Sequence, residues 1–242
     1  MRNAILILVA LCALFSSLFL CCFAQSQVTP SATEEILDYH SDIRVQQDAS
    51  LVVRETIRVR SAGAQIHHGI YRDFPTRYKD HLGNRYVVNF EIVEVSRDGQ
   101  PEKFHVQDQS NGERIYFGDE KVVLPPGEYT YALVYTANRE VGFFAGHDEL
   151  YWNVTGTGWL FPIAHASATV TLPSNIPEAS IRMDGYTGPQ GARGKAFTSS
   201  IGIGVPGQNS RRSTQANLCQ RKVEMSGFSQ DRKVRFHGFL QG

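Results

Sequence analysis

Leu51-Val52-Val53-Arg54-Glu55-Thr56-Ile57-Arg58-Val59-Arg60 is the stretch on which the fold turns. Val53, Ile57 and Val59 fall on one side of an extended chain, and Arg54, Thr56, Arg58 and Arg60 on the other. That period of two fits a half-buried β-strand and does not fit a helix. Upstream, Leu37, Tyr39, Ile43 and Val45 alternate with His40, Asp42, Arg44 and Gln46, and Gln47-Asp48-Ala49-Ser50 supplies the turn of a hairpin. Downstream the pattern recurs in Tyr86, Val88, Phe90 and Ile92, closed by Arg97-Asp98-Gly99-Gln100-Pro101. A shorter pair, Phe104 and Val106 with Ile115 and Phe117, flanks Ser110-Asn111-Gly112. Pro125-Pro126-Gly127-Glu128 then launches Tyr129, Tyr131, Leu133 and Tyr135, and Ala166, Ala168, Val170 and Leu172 lead to Pro173. Short strands at about 8–12 residue spacing with Gly/Pro turns predict an all-β, antiparallel β-sandwich over residues 36–188.

Ahead of that domain lies a different chemistry. Met1-Arg2-Asn3 is basic, Ala4 to Phe23 is apolar apart from Ser16 and Ser17, and Ala24-Gln25-Ser26-Gln27 turns polar. This is the pattern of a secretory signal peptide ending at Ala24, with 25–35 as a linker. The alternative is an uncleaved signal serving as an anchor helix, since about 20 apolar residues span a bilayer. Both readings put the domain outside the cytoplasm, in the periplasm or at the cell surface. Cys12, Cys21 and Cys22 lie in the signal, so Cys219 alone remains and no internal disulfide is expected. Stability then has to come from a hydrophobic core.

The formal charge of zero conceals a division. Residues 25–188 hold 14 basic and 22 acidic side chains, whereas 189–242 hold nine and two. An acidic body is a poor nucleic-acid binder, because phosphates call for concentrated positive surface. Residues 189–242 read as a Gly-rich basic tail without clear alternation, expected to be poorly ordered or to be a truncated end.

Two aromatic segments depart from simple alternation: His67-His68-Gly69-Ile70-Tyr71-Arg72-Asp73-Phe74-Pro75, and Asp148-Glu149-Leu150-Tyr151-Trp152-Asn153-Val154-Thr155-Gly156-Thr157-Gly158-Trp159, running on to Pro162. Together with Asp48-Ala49-Ser50-Leu51-Val52-Val53-Arg54-Glu55 they resemble, over residues 36–188, the N-terminal domain of bacterial predicted membrane proteins grouped as domain of unknown function 2207. The resemblance implies a signal peptide, an extracytoplasmic β domain, and then transmembrane helices with a Gly-rich end. It carries no catalytic residue onto this chain. No second apolar span follows the signal here, so membrane association is expected through helices missing from this product or through an uncleaved signal.

No nucleophile motif or paired metal signature is present, and neither an enzyme nor a cofactor is expected. His67-His68 beside Asp73, with His147-Asp148-Glu149, is the nearest approach to a ligand set, but adjacent strand residues point to opposite faces. Asp73 with Glu149 would make a glycosidase-like pair if the two segments met suitably. The candidate binding residues are Tyr71, Arg72, Asp73, Tyr151, Trp152 and Trp159. The segments are expected to pack together, with Arg72 offered to Tyr151, Trp152 or Glu149. Trp152 and Trp159 then either cap the core or form an aromatic platform. The expected role is that of a non-enzymatic interaction or sensing domain. A module binding carbohydrate or envelope polymer is the alternative and an unrecognised hydrolase the third, with the partner an unknown envelope protein or polymer.

Overall fold

The opening hairpin pairs β1 (Glu35–Val45) with β2 (Leu51–Ser61), Ile43 opposite Val53 and Tyr39 opposite Ile57. This computed structural model describes residues 33–79, 83–173, 176–185, 187, 194, 197–204, 220–228 and 233–238. The expected signal or anchor helix and nearly all of the linker lie outside the described residues. Every odd-numbered residue of β2 from Leu51 to Ser61 is buried, and none of the even-numbered ones is. The period of two in the sequence is therefore a physical division between a core face and a wetter one.

Chain order continues with β3 (Ile70–Pro75), β4 (Arg77–Lys79), β5 (Arg85–Val87), β6 (Phe90–Arg97), β7 (Gln100–Pro101), β8 (Phe104–Gln109) and β9 (Gly112–Phe117). Then come β10 (Gly127–Ala137), β11 (Val141–Phe144), β12 (His147–Asn153), β13 (Ala166–Leu172), β14 (Ile181–Gly185), β15 (Thr198–Gly204), β16 (Gln220–Phe228) and β17 (Lys233–Gly238). The one helical element among the described residues is a single 3₁₀ turn, Glu178–Ser180. An eight-stranded sheet runs β15-β16-β13-β1-β2-β10-β6-β7. Smaller sheets run β11-β12-β17-β14, β3-β9-β8 and β4-β5.

The inner face of the large sheet carries Tyr39, Ile43, Val53, Ile57, Tyr131 and Tyr135, all essentially without solvent contact. The β3-β9-β8 sheet contributes Ile70, Phe74, Ile115 and Phe117 to the same core. Phe117 meets Tyr131 with ring centroids 6.0 Å apart, and Phe74 meets Tyr135 edge-on at 4.9 Å. Aromatic contacts of this geometry add to plain area burial.

Three expectations need correction. The sheets are not wholly antiparallel, because β1 and β13 run parallel, with Tyr39 opposite Ala166 and Ile43 opposite Val170. Strand neighbours far apart in sequence leave no local turn signal, so the pattern could not reveal this pairing. Residues 189–242 also contain strands among the described residues. β15, β16 and β17 fall within them, β16 pairing with β13 and β17 with β12 and β14. Val223 and Met225 alternate with Lys222 and Glu224, and Val234 and Phe236 with Arg235 and His237. These short alternations sit among polar residues and become strands by extending sheets that already exist. Finally, Ile70–Pro75 is a regular strand rather than an interruption, and so is His147–Asn153.

Candidate functional site

Arg72 stands between Ile70 and Phe74 on the inward row of β3, and Glu55 between Val53 and Ile57 on the inward row of β2. Each is a charge where the pattern demands a hydrocarbon, and they meet. Arg72 Nε donates to Glu55 Oε2 and Nη2 to Oε1, both at 2.9 Å, with Arg72 3% and Glu55 0% exposed. Tyr135 donates its hydroxyl to Glu55 Oε1 at 3.1 Å, and Tyr39 accepts from Arg72 Nε at 3.1 Å. Nη1 donates to the Asp73 carbonyl, and the guanidinium lies 4.2 Å over the Phe74 ring. Burial pulls the Arg72 pKa down, but the Glu55 carboxylate more than reverses this and holds it well above its usual value. Burial likewise raises the Tyr39 and Tyr135 phenols well above theirs. A buried ion pair tolerates desolvation only when its remaining hydrogen bonds are made, and here they are.

The second aromatic segment closes over this node, so the two segments do pack together. Gly156 has a φ of 69°, and a Cβ there would lie 2.1 Å from Arg72 Nη1. Gly158 has a φ of 85°, and its Cβ would lie 2.5 Å from Asp73 Oδ2. Asp73 and Thr157 form a bridge. Gly-Thr-Gly is thus required twice over, by backbone conformation and by close approach. Arg72 is not offered to Tyr151, Trp152 or Glu149 as its ionic or hydrogen-bonding partner. Its carboxylate comes from β2, and the signal that could have found it was Glu55 in an apolar row.

Asp73 points the other way. It takes Arg114 Nε at 2.6 Å and Nη2 at 2.8 Å, and the Arg114 guanidinium lies 4.0 Å over the half-buried Tyr71 ring. Trp159 is half-buried, edge-on to Tyr39 at 6.0 Å, and donates Nε1 to the Thr155 carbonyl at 2.7 Å. Tyr71, Asp73 and Trp159 therefore sit around the node, not on a shared platform. His67 and His68 lie in the connection ahead of β3 and not on a strand, so their rings sit side by side at 4.2 Å. Asp73 is occupied by Arg114, and among the described residues no three His, Cys, Asp or Glu side chains are grouped to hold a metal.

Arg72, Tyr151 and Trp152 border a cleft of about 520 Å³. Its walls come from β3, the β4-β5 hairpin, the end of β10 and the β11-β12 hairpin. Tyr78 and Tyr86 stack at 5.5 Å on one side, and Phe144, Tyr151 and Trp152 stand among the lining residues of β11 and β12. Glu140 and Glu149 also line it. Glu149 lies 3.5 Å from His147 Nε2. Glu140 makes no hydrogen bond or ion pair among the described residues, and burial pushes its carboxyl up to about 7. Arg139 beside it adopts a φ of 59°, uncommon for a residue with a side chain, and donates to the Val87 carbonyl at 3.3 Å. Two further cleft residues carry unmatched polar atoms. Trp152, only 7% exposed, has a buried indole N–H, and Asn153 a buried Oδ1, each without a partner among the described residues. Sequence reasoning missed Glu140, Tyr78 and Tyr86, which come together only through the tertiary fold.

With this geometry in place, the chain's relationships are informative. Residues 35–231 match the model of the N-terminal domain of predicted membrane proteins, domain of unknown function 2207, and the chain belongs to this family. It is 31% identical over 169 residues to the Uncharacterized protein YciQ of Escherichia coli (strain K12), covering 70% of this chain and 27% of that protein. The chain thus spans about a quarter of that relative's length. Among the described residues no helix is long and apolar enough to cross a membrane. Among solved structures it is similar to a putative protease from Parabacteroides distasonis, at TM-score 0.46 and 9% identity over 86% of this chain and 41% of that one. It is also similar to an M1 zinc metallopeptidase from Deinococcus radiodurans, at TM-score 0.40 and 12% identity over 85% and 42%. Scores this low carry no conclusion about chemistry.

Proposed function

We propose that this chain is the extracytoplasmic, non-enzymatic recognition domain of a membrane-associated protein, a two-layered β-sandwich whose binding surface is the aromatic cleft. The observation that carries the reading is a cleft of about 520 Å³ in which the rings of Phe74, Tyr78, Tyr86, Phe144, Tyr151 and Trp152 stand among a few charged side chains. Aromatic walls with a few convergent polar groups are how binding clefts are commonly built. A cell-envelope polymer is favoured over a flat protein face by the Tyr78–Tyr86 stack beside the partly exposed Tyr151, which offers rings to a chain passing through.

The protein has two tryptophans, and Trp152 lines the cleft. Titrating the Trp159→Phe variant of the full chain with soluble peptidoglycan fragments should change the remaining fluorescence saturably, and Trp152→Phe should abolish the response. Fragments recovered after incubation should be chemically intact. A flat titration would sink the cleft as the binding surface, and cleaved fragments would replace recognition by catalysis.

A further inference from the structure

Resting on that reading of the cleft, we infer that it selects ligands carrying an organic ammonium group, held against aromatic faces with Glu140 as counter-ion. The charges lining the cleft are largely committed elsewhere. Arg72 is matched by Glu55 in a bidentate pair. Arg139 donates to a backbone carbonyl, and Glu149 has His147 beside it. Glu140 alone makes neither an ion pair nor a side-chain hydrogen bond among the described residues. An anionic ligand would place like charges together in a partly desolvated site. A neutral ligand would deepen the burial of Glu140 without relieving it. A cation relieves it, and the surrounding rings of Tyr78, Tyr86, Tyr135, Phe144, Tyr151 and Trp152 favour positive charge through their electron-rich faces.

The carboxyl of Glu140 titrates at about 7, so a ligand that needs it ionised binds more tightly as the pH rises. Between pH 6 and 8 the ionised fraction, and with it the affinity for a lysine-type ammonium that stays charged throughout, should rise about tenfold. The groups that share its surroundings are Arg72 from β3, Tyr78 and Tyr86 from β4 and β5, its neighbour Arg139, and Glu149 with His147 from β12. Burial raises the Tyr78 phenol to about 12, so it stays neutral throughout this range. The Glu140→Gln variant isolates the contribution of this carboxylate to the pH dependence.

Two sources of ammonium fit this chemistry, a lysine-type side chain and an amino sugar. The test titrates the full chain with Nα-acetyl-lysine methylamide against its Nε-acetylated form, and with glucosamine against N-acetylglucosamine, following Trp152 fluorescence in the Trp159→Phe background. The expected result is binding of one charged member about tenfold or more tighter than its acetylated partner, with the preference lost in Glu140→Gln, whose melting confirms that it is folded. Which charged member binds identifies the source. Equal affinity within both pairs, or a preference that survives Glu140→Gln, would overturn the inference while leaving the cleft as a binding surface. No response to any of the four, alongside a saturable response to peptidoglycan fragments, also overturns it. No response to either set removes the cleft reading as well.

Discussion

Two arginine–carboxylate pairs hang from consecutive residues of β3, and they differ in almost everything except geometry. Both are bidentate, Arg72 with Glu55 at 2.9 and 2.9 Å and Arg114 with Asp73 at 2.6 and 2.8 Å. The strand's alternation sends Arg72 into the core and Asp73 outward. The inner pair is 3% and 0% exposed, the outer 27% and 24%. Geometry alone would rank them as equals. Burial separates them, because removing one partner of a buried pair strands an uncompensated charge, while water replaces the partner of an exposed one.

The largest effect should come from breaking the inner pair. Arg72→Ala leaves Glu55 without its charge partner and is expected to cost about 3–5 kcal/mol in denaturant unfolding. Combining it with Glu55→Leu should return part of that loss, because the stranded charge goes too. A double variant no better than the single would mean that the node is held by shape and not by charge.

Gly156→Ala sharpens the point from the opposite side of the guanidinium. The added carbon would lie 2.1 Å from Arg72 Nη1, at a φ of 69° that disfavours a side chain. We expect a loss of about 2–3 kcal/mol, from backbone strain and displacement of the pair together. In the Arg72→Ala background the steric part should vanish, leaving about 1 kcal/mol of conformational cost. A loss unchanged in that background would place the cost elsewhere.

Glu140 is the third carboxylate of the comparison, partly buried like Asp73 but matched by no side chain among the described residues. Its carboxyl is raised from 4.5 to about 7, so the folded protein holds this proton more tightly than the unfolded chain. The sign follows from linkage. Folding is penalised as pH climbs from 4.5 towards 7, and the penalty is complete above that. Glu140→Gln should therefore raise stability at pH 8 by about 1–2 kcal/mol, a figure reduced for the residue's partial exposure, and should be neutral at pH 4. Melting curves at both pH values check it. A destabilising substitution at pH 8 would mean that the carboxylate has a partner in solution.

How far these features were legible follows from their range in sequence. Val53, Ile57 and Val59 announced β2 because a strand's two faces are written locally. The Gly69–Pro75 and Glu149–Pro162 segments stood out for their aromatics, and they do meet. Glu55 sits in the inward row of β2, and a carboxylate in an apolar row marks the partner of Arg72 better than the aromatic residues of the second segment do. The β1-β13 pairing and the cleft depend on which strands become neighbours, and contacts so distant in sequence leave no periodic trace. Glu140 is the clearest instance. Its sequence context is an ordinary turn, and only Tyr78 and Tyr86, brought from β4 and β5, make it unusual.

The smallest effect belongs to the outer pair. Arg114→Ala should cost less than about 1 kcal/mol despite the shorter hydrogen bonds, because Asp73 regains water when its partner leaves. Part of even that loss is not ionic, since the guanidinium also covers the Tyr71 ring at 4.0 Å. Arg114→Met keeps hydrocarbon over the ring and removes the charge, so it should lie between wild type and alanine. Salt supplies a second axis. The Debye length shrinks to about 3 Å at 1 M, so the Arg114→Ala loss should shrink with added sodium chloride while the Arg72→Ala loss barely moves. A salt-insensitive loss of several kcal/mol at Arg114 would mean that exposure does not separate the pairs. The closing of Gly158 over Asp73, where a Cβ would approach Oδ2 to 2.5 Å, would then be the place to seek the missing burial.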